Sequence, residues 1–196
     1  PHFLYNTLES LNALISIGEN QKATTMVNSL GIFLRNTLND NDLIPLEKEI
    51  EHVVSYFKIQ QIRYSNRIEL NVNISHSMPN YKITKLILQP LVENSIIHGF
   101  TDIDYIGIIT IHVFEDLDWL YLEVVDNGLG TDIDLLNQLL SNPNDYHTDD
   151  SNFYCIQNIQ KRLQACFGEN STLHYQENEF DSVTAIIKID KQKLKI

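Results

Sequence analysis

The sequence predicts an α+β protein, in which a helical N-terminal segment is followed by an α/β sandwich whose antiparallel or mixed sheet is covered by helices on one face. In residues 1–64, apolar residues recur at helical spacing in three successive stretches. Residues 67–75 then alternate between apolar and polar side chains, as in a half-buried strand. The remaining order of helix, two strands, loop, helix and two strands is typical of a layered α+β domain.

The N-terminal segment contains three predicted helices. The first covers residues 1–17, and the second follows a break at residues 18–21. The third covers residues 46–64, after a turn at residues 39–45. So short an array has little core of its own, and we therefore expect a bundle with a dimer face. Because the chain opens on Pro-His without an initiator Met or a helix cap, we also expect a fragment whose first helix is truncated.

The sandwich is predicted from residue 66 onward. Its strands have period-two alternation, and its helices have apolar residues three and four apart. A short acidic turn joins the second and third strands into an antiparallel hairpin. The predicted strands are residues 67–75, 107–115, 119–125, 171–177 and 182–190, and the predicted helices are residues 86–100 and 154–167.

The helix predicted at residues 86–100 combines an apolar face with a polar stripe. Asn94 and His98 lie one turn apart, with Glu93 beside them. A carboxylate, an amide and an imidazole together suit a hydrated cation that carries phosphate oxygens. An ordinary amphipathic helix with polar outer residues explains this stretch, taken alone, equally well. The predicted inward face comprises Leu88, Leu91, Val92, Ser95 and Ile96.

A second polar motif, Asp126-Asn127-Gly128-Leu129-Gly130, directly follows the third predicted strand. Its two glycines let the backbone come close to a ligand, and an acid at a strand end can accept a hydrogen bond from an exocyclic amine. The tripeptide Asp-Asn-Gly alone most often marks only a turn, so the position of the motif in the chain decides its interpretation.

Composition and charge narrow the classes of partner. The 196 residues include 14 Lys plus Arg and 26 Asp plus Glu, and the formal charge of −12 repels nucleic acids and anionic membrane surfaces. The one basic cluster, at residues 188–195, is interrupted by Asp190 and is typical of a solvated chain end. No apolar run approaches the roughly 18 residues that span a bilayer. We therefore expect a soluble piece that binds no nucleic acid.

Two groups of motifs resemble a known family over nearly the whole chain. LQPLVENSIIHG followed by VVDNGLG resembles the N box and the first glycine-rich box of the GHKL ATPases, which have the Bergerat-type sandwich. PHFLYNTL, LRNTL and IQQIRY resemble the phosphoacceptor region of LytS-type sensor histidine kinases. The resemblance implies a dimerisation and phosphoacceptor region at residues 1–65. It also implies an ATP-binding catalytic domain at residues 66–196, with a lid at about residues 131–152.

The resemblance implies a role for each matching residue, with ATP and Mg²⁺ as cofactors. His2 accepts the γ-phosphoryl group, and Glu93 polarises that histidine. Asn94 is the Mg²⁺ ligand, and Asp126 accepts a hydrogen bond from the adenine amino group. The other implied nucleotide contacts are His98, Gly128, Gly130, Asn158 and Thr184.

The implied protein is a homodimeric kinase that phosphorylates itself and then an aspartate of a response-regulator receiver domain. We expect it to be the cytoplasmic part of a parent protein that is anchored in the bacterial plasma membrane by segments upstream of residue 1.

Some residues depart from the family pattern. Phe153 and Cys155 replace both glycines of the second glycine-rich box, residues 131–152 contain acids but no Lys or Arg, and residues 181–184 lack a common glycine. These departures favour an alternative, a degenerate kinase whose nucleotide pocket binds ATP weakly or not at all and which serves as a dimerisation and signalling module. Another GHKL ATPase is a third hypothesis. Residues 144–150 contain oxygen ligands and a histidine, but we interpret them as lid rather than as a metal site.

Overall fold

Three helices open the chain in the computed structural model, which describes residues 2–38, 41–75, 79–141 and 151–194, with the backbone alone for residues 151–153. They are α1 (His2–Ser16), α2 (Asn20–Thr37) and α3 (Leu46–Arg63). Helix α1 packs on α2 and α3. Beside the main core, the three helices share a small second apolar cluster that comprises Leu11, Ala23, Met26 and Ile59.

A short strand replaces part of the turn that the sequence predicts before α3. Strand β1 (Leu43–Pro45) pairs antiparallel with β3 (Lys82–Thr84). The Leu46 N–H, at the start of α3, also donates to the Tyr81 carbonyl oxygen at 2.8 Å. Strands of three residues are too short to show alternation in a sequence, which is why neither was predicted. This pairing attaches α3 to the sandwich.

The main sheet has five strands in the order β2-β4-β5-β7-β6. Strands β2 and β4 are parallel, and every other neighbouring pair is antiparallel. The sheet is therefore mixed, and the predicted hairpin of β4 and β5 is confirmed. The strand bounds are Ile68–Ile74 for β2, Gly107–Glu115 for β4, Trp119–Asp126 for β5, Thr172–Glu177 for β6 and Val183–Asp190 for β7.

The core lies between this sheet and the helices on one of its faces. Alternate residues of β5, among them Leu120, Leu122 and Val124, are buried together with apolar residues of α3. The opposite face is partly exposed and carries aromatic contacts. There the Lys188 ammonium lies 4.0 Å from the centre of the Trp119 ring. The predicted two-layer arrangement, with helices on one face, is confirmed.

The central helix spans residues 89–99 and begins three residues later than predicted. It consists of α4 (Gln89–Asn94) and a π-helical turn (Ser95–Gly99). Residues 85–88 precede it as an irregular segment in which Leu86 has a positive φ of 59°. All five residues of the predicted inward face are buried, so the predicted periodicity is correct.

The irregular segment before the central helix is held from two sides. The buried Glu49 carboxylate of α3 accepts hydrogen bonds from the backbone N–H groups of Leu86, Ile87 and Leu88, at 2.8 to 3.0 Å. From α6 (Ser151–Phe167), the Arg162 guanidinium donates to the Thr84 hydroxyl at 2.8 Å and to the Lys85 carbonyl oxygen. One segment therefore connects α3 with α6.

The region predicted as the lid contains a helix, α5 (Ile133–Ser141). The possible metal-binding stretch at residues 144–150 lies outside the described residues. Helix α6 includes residues 153 and 155, so the backbone there is helical. The backbone at these two positions is therefore not in the left-handed region that favours glycine. None of the helices within the described residues combines the length and apolar character needed to cross a bilayer.

Candidate functional site

A cavity of about 240 Å³ lies between the central helix and the sheet. Four residues assigned from the sequence line it, namely Asn94, His98, Asp126 and Gly130. The central helix and strands β5, β6 and β7 supply much of the remaining wall, and α5 and α6 also contribute side chains. The two sequence motifs, far apart in the chain, therefore meet at one site.

Asp126 is the buried carboxylate of this cavity, with 5% of its surface exposed. Its Oδ2 accepts a hydrogen bond from the Ser95 hydroxyl at 2.7 Å. Its Oδ1 accepts from the Ser182 hydroxyl at 2.5 Å and from the Gly128 N–H at 3.0 Å. A carboxylate has about four acceptor positions, so roughly one remains for a donor on a ligand.

The two glycines of the second motif have different roles. Gly128 does not line the cavity, but a Cβ there would lie 2.5 Å from the carbonyl oxygen of Gly99. The next residue, Leu129, donates its N–H to that same oxygen at 3.0 Å. Gly128 thus lets the loop pack directly on the end of the central helix. Gly130 lines the cavity and has a positive φ of 75°, a conformation that favours glycine.

Asn94 is half-buried and His98 is exposed, and both lie on the cavity side of the central helix. Glu93 is partly buried but does not line the cavity. Its burial raises the pKa of its carboxyl above the usual range, while the Tyr56 hydroxyl opposes the shift. The Asn94 amide therefore faces the cavity, whereas the Glu93 carboxyl lies outside it, near Tyr56.

His2 is exposed near the start of α1 and lies outside the cavity. The Asn6 amide, one turn later, donates to His2 Nδ1 at 3.1 Å. The next residue, Phe3, packs against Phe33 and Tyr56, with ring centres 5.0 and 5.1 Å apart. Tyr56 thus contacts the helix that carries His2 and also influences Glu93.

Two other residues assigned from the sequence do not line the cavity. Asn158 is exposed on α6, where the nearby Ile156 lines the cavity instead. Thr184 is buried on β7, but its neighbours Val183 and Ala185 are the lining residues. Because side chains alternate along a strand, Thr184 belongs to the other face of β7.

The structure also adds residues that sequence reasoning missed. Ser95 and Ser182 hold the Asp126 carboxylate, and Tyr175 of β6 lines the cavity. The sequence offered a signal for Ser95, which is a polar residue on an otherwise apolar inward face. It gave none for Tyr175, because that assignment requires knowing that β6 lies two strands from β5.

The arrangement suits a flat, largely apolar ligand with a hydrogen-bond donor. Leu91, Val124 and Ile156 provide apolar walls, and Asp126 provides an acceptor. Among the described side chains, no three His, Cys, Asp or Glu residues cluster as a metal site. A cation there would hence need ligand oxygens in addition to the Asn94 amide, as Mg²⁺ usually has when it binds with phosphates.

Comparison with known sequences gives two findings. Residues 1–68 match the family model described as histidine kinase. The chain is also similar to proteins named sensor protein LytS. It is 33% identical to that of Oceanobacillus iheyensis over 95% of this chain, and 28% identical to that of Bacillus subtilis over 100% of it. The chain covers only 32% and 33% of these two relatives, so it spans about a third of their length.

Comparison with solved structures concerns the fold alone. The nucleotide-free catalytic domain of the histidine kinase ThkA has a TM-score of 0.58 at 17% identity, and the match covers 76% of this chain and 95% of that chain. The histidine kinase domain of the Erythrobacter litoralis EL346 protein has a TM-score of 0.53 at 14% identity, covering 96% and 94%. The predicted sandwich is therefore the fold of histidine kinase catalytic domains.

Proposed function

This chain belongs to the LytS-type histidine kinases, and we propose that it is the cytoplasmic kinase segment of a two-component sensor. It uses Mg²⁺ and ATP to phosphorylate His2 and then transfers the phosphoryl group to an aspartate of a response-regulator receiver domain. Residues 1–65 serve dimerisation and phosphate acceptance, and residues 66–196 bind ATP. The parent protein is anchored in the bacterial plasma membrane by segments outside this chain.

The Asp126 carboxylate is the observation that carries this proposal. It is buried beside apolar walls, is oriented by three hydrogen bonds, and retains about one acceptor position. An adenine amino group matches that position, and the purine ring matches the walls. The cavity is smaller than the roughly 300 to 1,000 Å³ of pockets that enclose whole ligands. It therefore holds the base end of the nucleotide, with the phosphates directed outward.

The phosphate end is served by the polar stripe of the central helix. When bound, Mg²⁺ and ATP supply the phosphoryl group and the positive charge that phosphoryl transfer requires. Asn94 offers its amide oxygen to the cation, and His98 contributes to the cavity beside it. Burial raises the pKa of the Glu93 carboxyl, which makes its carboxylate a stronger base than an exposed one.

Transfer to His2 requires a change of position. His2 is exposed, and no described residue of α1 lines the cavity. The catalytic domain must therefore approach His2 of its own chain or that of a partner subunit. In this conformation the Asn6 amide donates to the Nδ1 lone pair, so a neutral His2 imidazole carries its proton on Nε2. Attack on the γ-phosphoryl group therefore requires either loss of the Asn6 hydrogen bond at Nδ1 or removal of the proton from Nε2.

The proposed partners are a second copy of the chain and a receiver domain. Leu4, Leu8 and Ile15 of α1 are large apolar residues exposed on the helical segment, which supports a dimer face. The histidine kinase ThkA, which is similar in fold with a TM-score of 0.55, forms a complex with the response regulator TrrA. That complex supports a response regulator as the second partner.

Calorimetric titration with ATP and Mg²⁺ tests the nucleotide site, with Asp126→Asn as the variant. We expect its affinity for ATP to fall about 10- to 150-fold, because a hydrogen bond to a charged group contributes about 1.5–3 kcal/mol. Asp118→Asn is the matched control. It removes the same charge from the exposed turn at the other end of β5, and we expect wild-type affinity.

The catalytic step is tested in the same preparation by phosphoryl incorporation from labelled ATP. We expect incorporation by the wild type and none by His2→Gln. Normal ATP binding without incorporation, even with a receiver domain present, would contradict the proposed kinase activity. No ATP binding by the wild type at millimolar concentration would contradict the proposed nucleotide site and would support the degenerate kinase. Unchanged labelling of His2→Gln would contradict the acceptor assignment.

A further inference from the structure

Tyr175 presents an unusual polar group to the cavity. Its residue surface is 6% exposed, and its hydroxyl is buried without a hydrogen-bond partner among the described residues. The residue lines the same cavity as Asp126. A buried donor without a partner lowers the stability of the folded state, so such groups are uncommon unless they have a function.

The position of Tyr175 is fixed by α5. The Asn137 side chain donates to the Tyr175 carbonyl oxygen at 2.8 Å and accepts from the Tyr175 N–H at 2.9 Å. These two bonds hold the N–H and the carbonyl group of Tyr175 at the outer edge of β6, which is the last strand of the sheet. The neighbouring Leu136 lines the cavity as well. Hence Tyr175 is held at the wall.

The sheet sets the distance between Tyr175 and the strand that carries Asp126. Tyr175 pairs with Ala185 of β7, and Ala185 pairs with Val124 of β5. Neighbouring strands lie about 4.8 Å apart, so Tyr175 is about 10 Å from Val124 across the small side chain of Ala185. All three residues line the cavity, and the small side chain of Ala185 lies between the other two. A ligand bonded to Asp126 can therefore extend toward Tyr175.

The hydroxyl acts here as a donor. Burial raises the pKa of Tyr175 well above its usual range, with a further contribution from Cys155, so the phenol keeps its proton at neutral pH. Purine ring nitrogens and ribose oxygens are acceptors. Asp126, in contrast, is suited to the amino group. The two residues thus offer complementary hydrogen bonds.

We propose that the Tyr175 hydroxyl donates a hydrogen bond to an acceptor atom of the bound nucleoside, a purine ring nitrogen or a ribose oxygen, and is thereby a nucleotide-binding residue. This inference rests on the proposed function of the cavity. Without a nucleotide the hydroxyl has no hydrogen-bond partner among the described residues, and the proposed bond forms when the nucleotide binds. The same group therefore lowers stability without ligand and raises affinity for it.

Tyr175→Phe separates these two effects, because it removes only the hydroxyl. We expect the affinity for ADP with Mg²⁺, measured by calorimetry, to fall about three- to tenfold. We also expect the midpoint of thermal unfolding without nucleotide to stay the same or rise. Tyr121→Phe is the matched control. It removes a hydroxyl that donates to Asp116 Oδ2 at 3.0 Å at an exposed site, and ADP affinity should not change.

Two results would overturn the inference while leaving the nucleotide site intact. The first is an unchanged ADP affinity in Tyr175→Phe, which would mean that the hydroxyl does not contact the ligand. The second is a lower unfolding midpoint without nucleotide, which would mean that the hydroxyl has a structural partner in the free protein. Absence of ADP binding by the wild type would instead contradict the proposed function, and this inference with it.

Discussion

Glu93 shows how burial at one residue connects stability with chemistry. Its carboxyl pKa is higher in the folded protein than in the unfolded chain, because burial penalises the charge. Ionisation of Glu93 therefore lowers the free energy of unfolding. The protein is more stable at a pH at which this carboxyl is protonated, and it loses that stability as the pH rises through the folded-state pKa. A neutral side chain of the same shape avoids this cost at every pH.

We expect Glu93→Gln to raise the thermal unfolding midpoint at about pH 8, with a gain that shrinks as the pH falls toward about 5. The same change should slow phosphoryl incorporation at least about 100-fold, because a proposed general base is removed. Unfolding scans across this pH range and labelling from ATP measure the two effects.

Glu123→Gln is the control for Glu93. Burial also raises the pKa of the Glu123 carboxyl, with His112 opposing the shift, but Glu123 lies on β5 and not on the central helix beside Asn94. The two variants should share the pH trend in stability, and only Glu93→Gln should lose activity. A fully active Glu93→Gln protein would remove Glu93 from the mechanism.

At this scale, the sequence was most informative where chemistry resides in a contiguous motif. Asn94, His98, Asp126 and Gly130 line one cavity, and the nucleotide contacts that the motifs imply for them stay predictions. Thr184, which the resemblance assigns to adenine binding, does not line the cavity, since one position along a strand reverses the direction of a side chain. Ser182 was missed because its contact with Asp126 spans 56 positions in the chain.

At the scale of elements, the junction between the central helix and the loop at residues 126–130 depends on a glycine pair. An alanine Cβ at position 128 would lie 2.5 Å from the Gly99 carbonyl oxygen, so loop and helix must separate. We expect Gly128→Ala to lower the free energy of unfolding by about 1–3 kcal/mol, as overpacking commonly does. Urea unfolding measures this change.

The reciprocal change, Gly99→Ala, tests the geometry of that junction. A Cβ at position 99 would lie 3.5 Å from Asp126 Oδ1, which is an ordinary contact. We expect the stability of this variant to stay within about 1 kcal/mol of the wild type, since alanine also reduces the freedom of the unfolded chain. Equal losses in both variants would show that the close approach at Gly128 is not what matters.

Long elements with clear periodicity were predicted closely, whereas short or irregular ones were not. The start of the central helix was placed too early, because residues 86–88 continue the apolar pattern while their N–H groups bond to Glu49. No local signal reveals that partner, which is 37 to 39 positions away. Helix α5 was not predicted as a helix, because its nine residues lie within the acidic segment 131–152, which was interpreted as one lid.

At the scale of the whole molecule, the helical segment has more exposed apolar surface than its small core explains. Leu8 of α1 is 56% exposed, and Leu4 and Ile15 are exposed on the same helix. We expect the wild-type chain to be a dimer and Leu8→Glu to shift it toward monomer, because the new carboxylate would be buried at the interface. Light scattering after gel filtration measures the mass.

Leu117→Glu provides the comparison for this experiment. Leu117 is 95% exposed in the turn between β4 and β5, so the same substitution there should leave the dimer intact. A monomeric wild type, or dissociation by both variants alike, would contradict a dimer face on α1. The sequence predicted this helical segment and the mixed sheet as separate regions, but not their attachment through β1 and β3.

The chain contains a single tryptophan, and its position in the sheet determines which structural change tryptophan fluorescence can report. Trp119 begins β5 under Lys188, whereas Asp126 ends the strand, about 23 Å away by the usual rise per residue. The indole also lies on the face opposite the cavity. Its fluorescence therefore reports unfolding of the sheet and not contact with a bound nucleotide. The same signal can be used to follow unfolding in every variant that retains this strand.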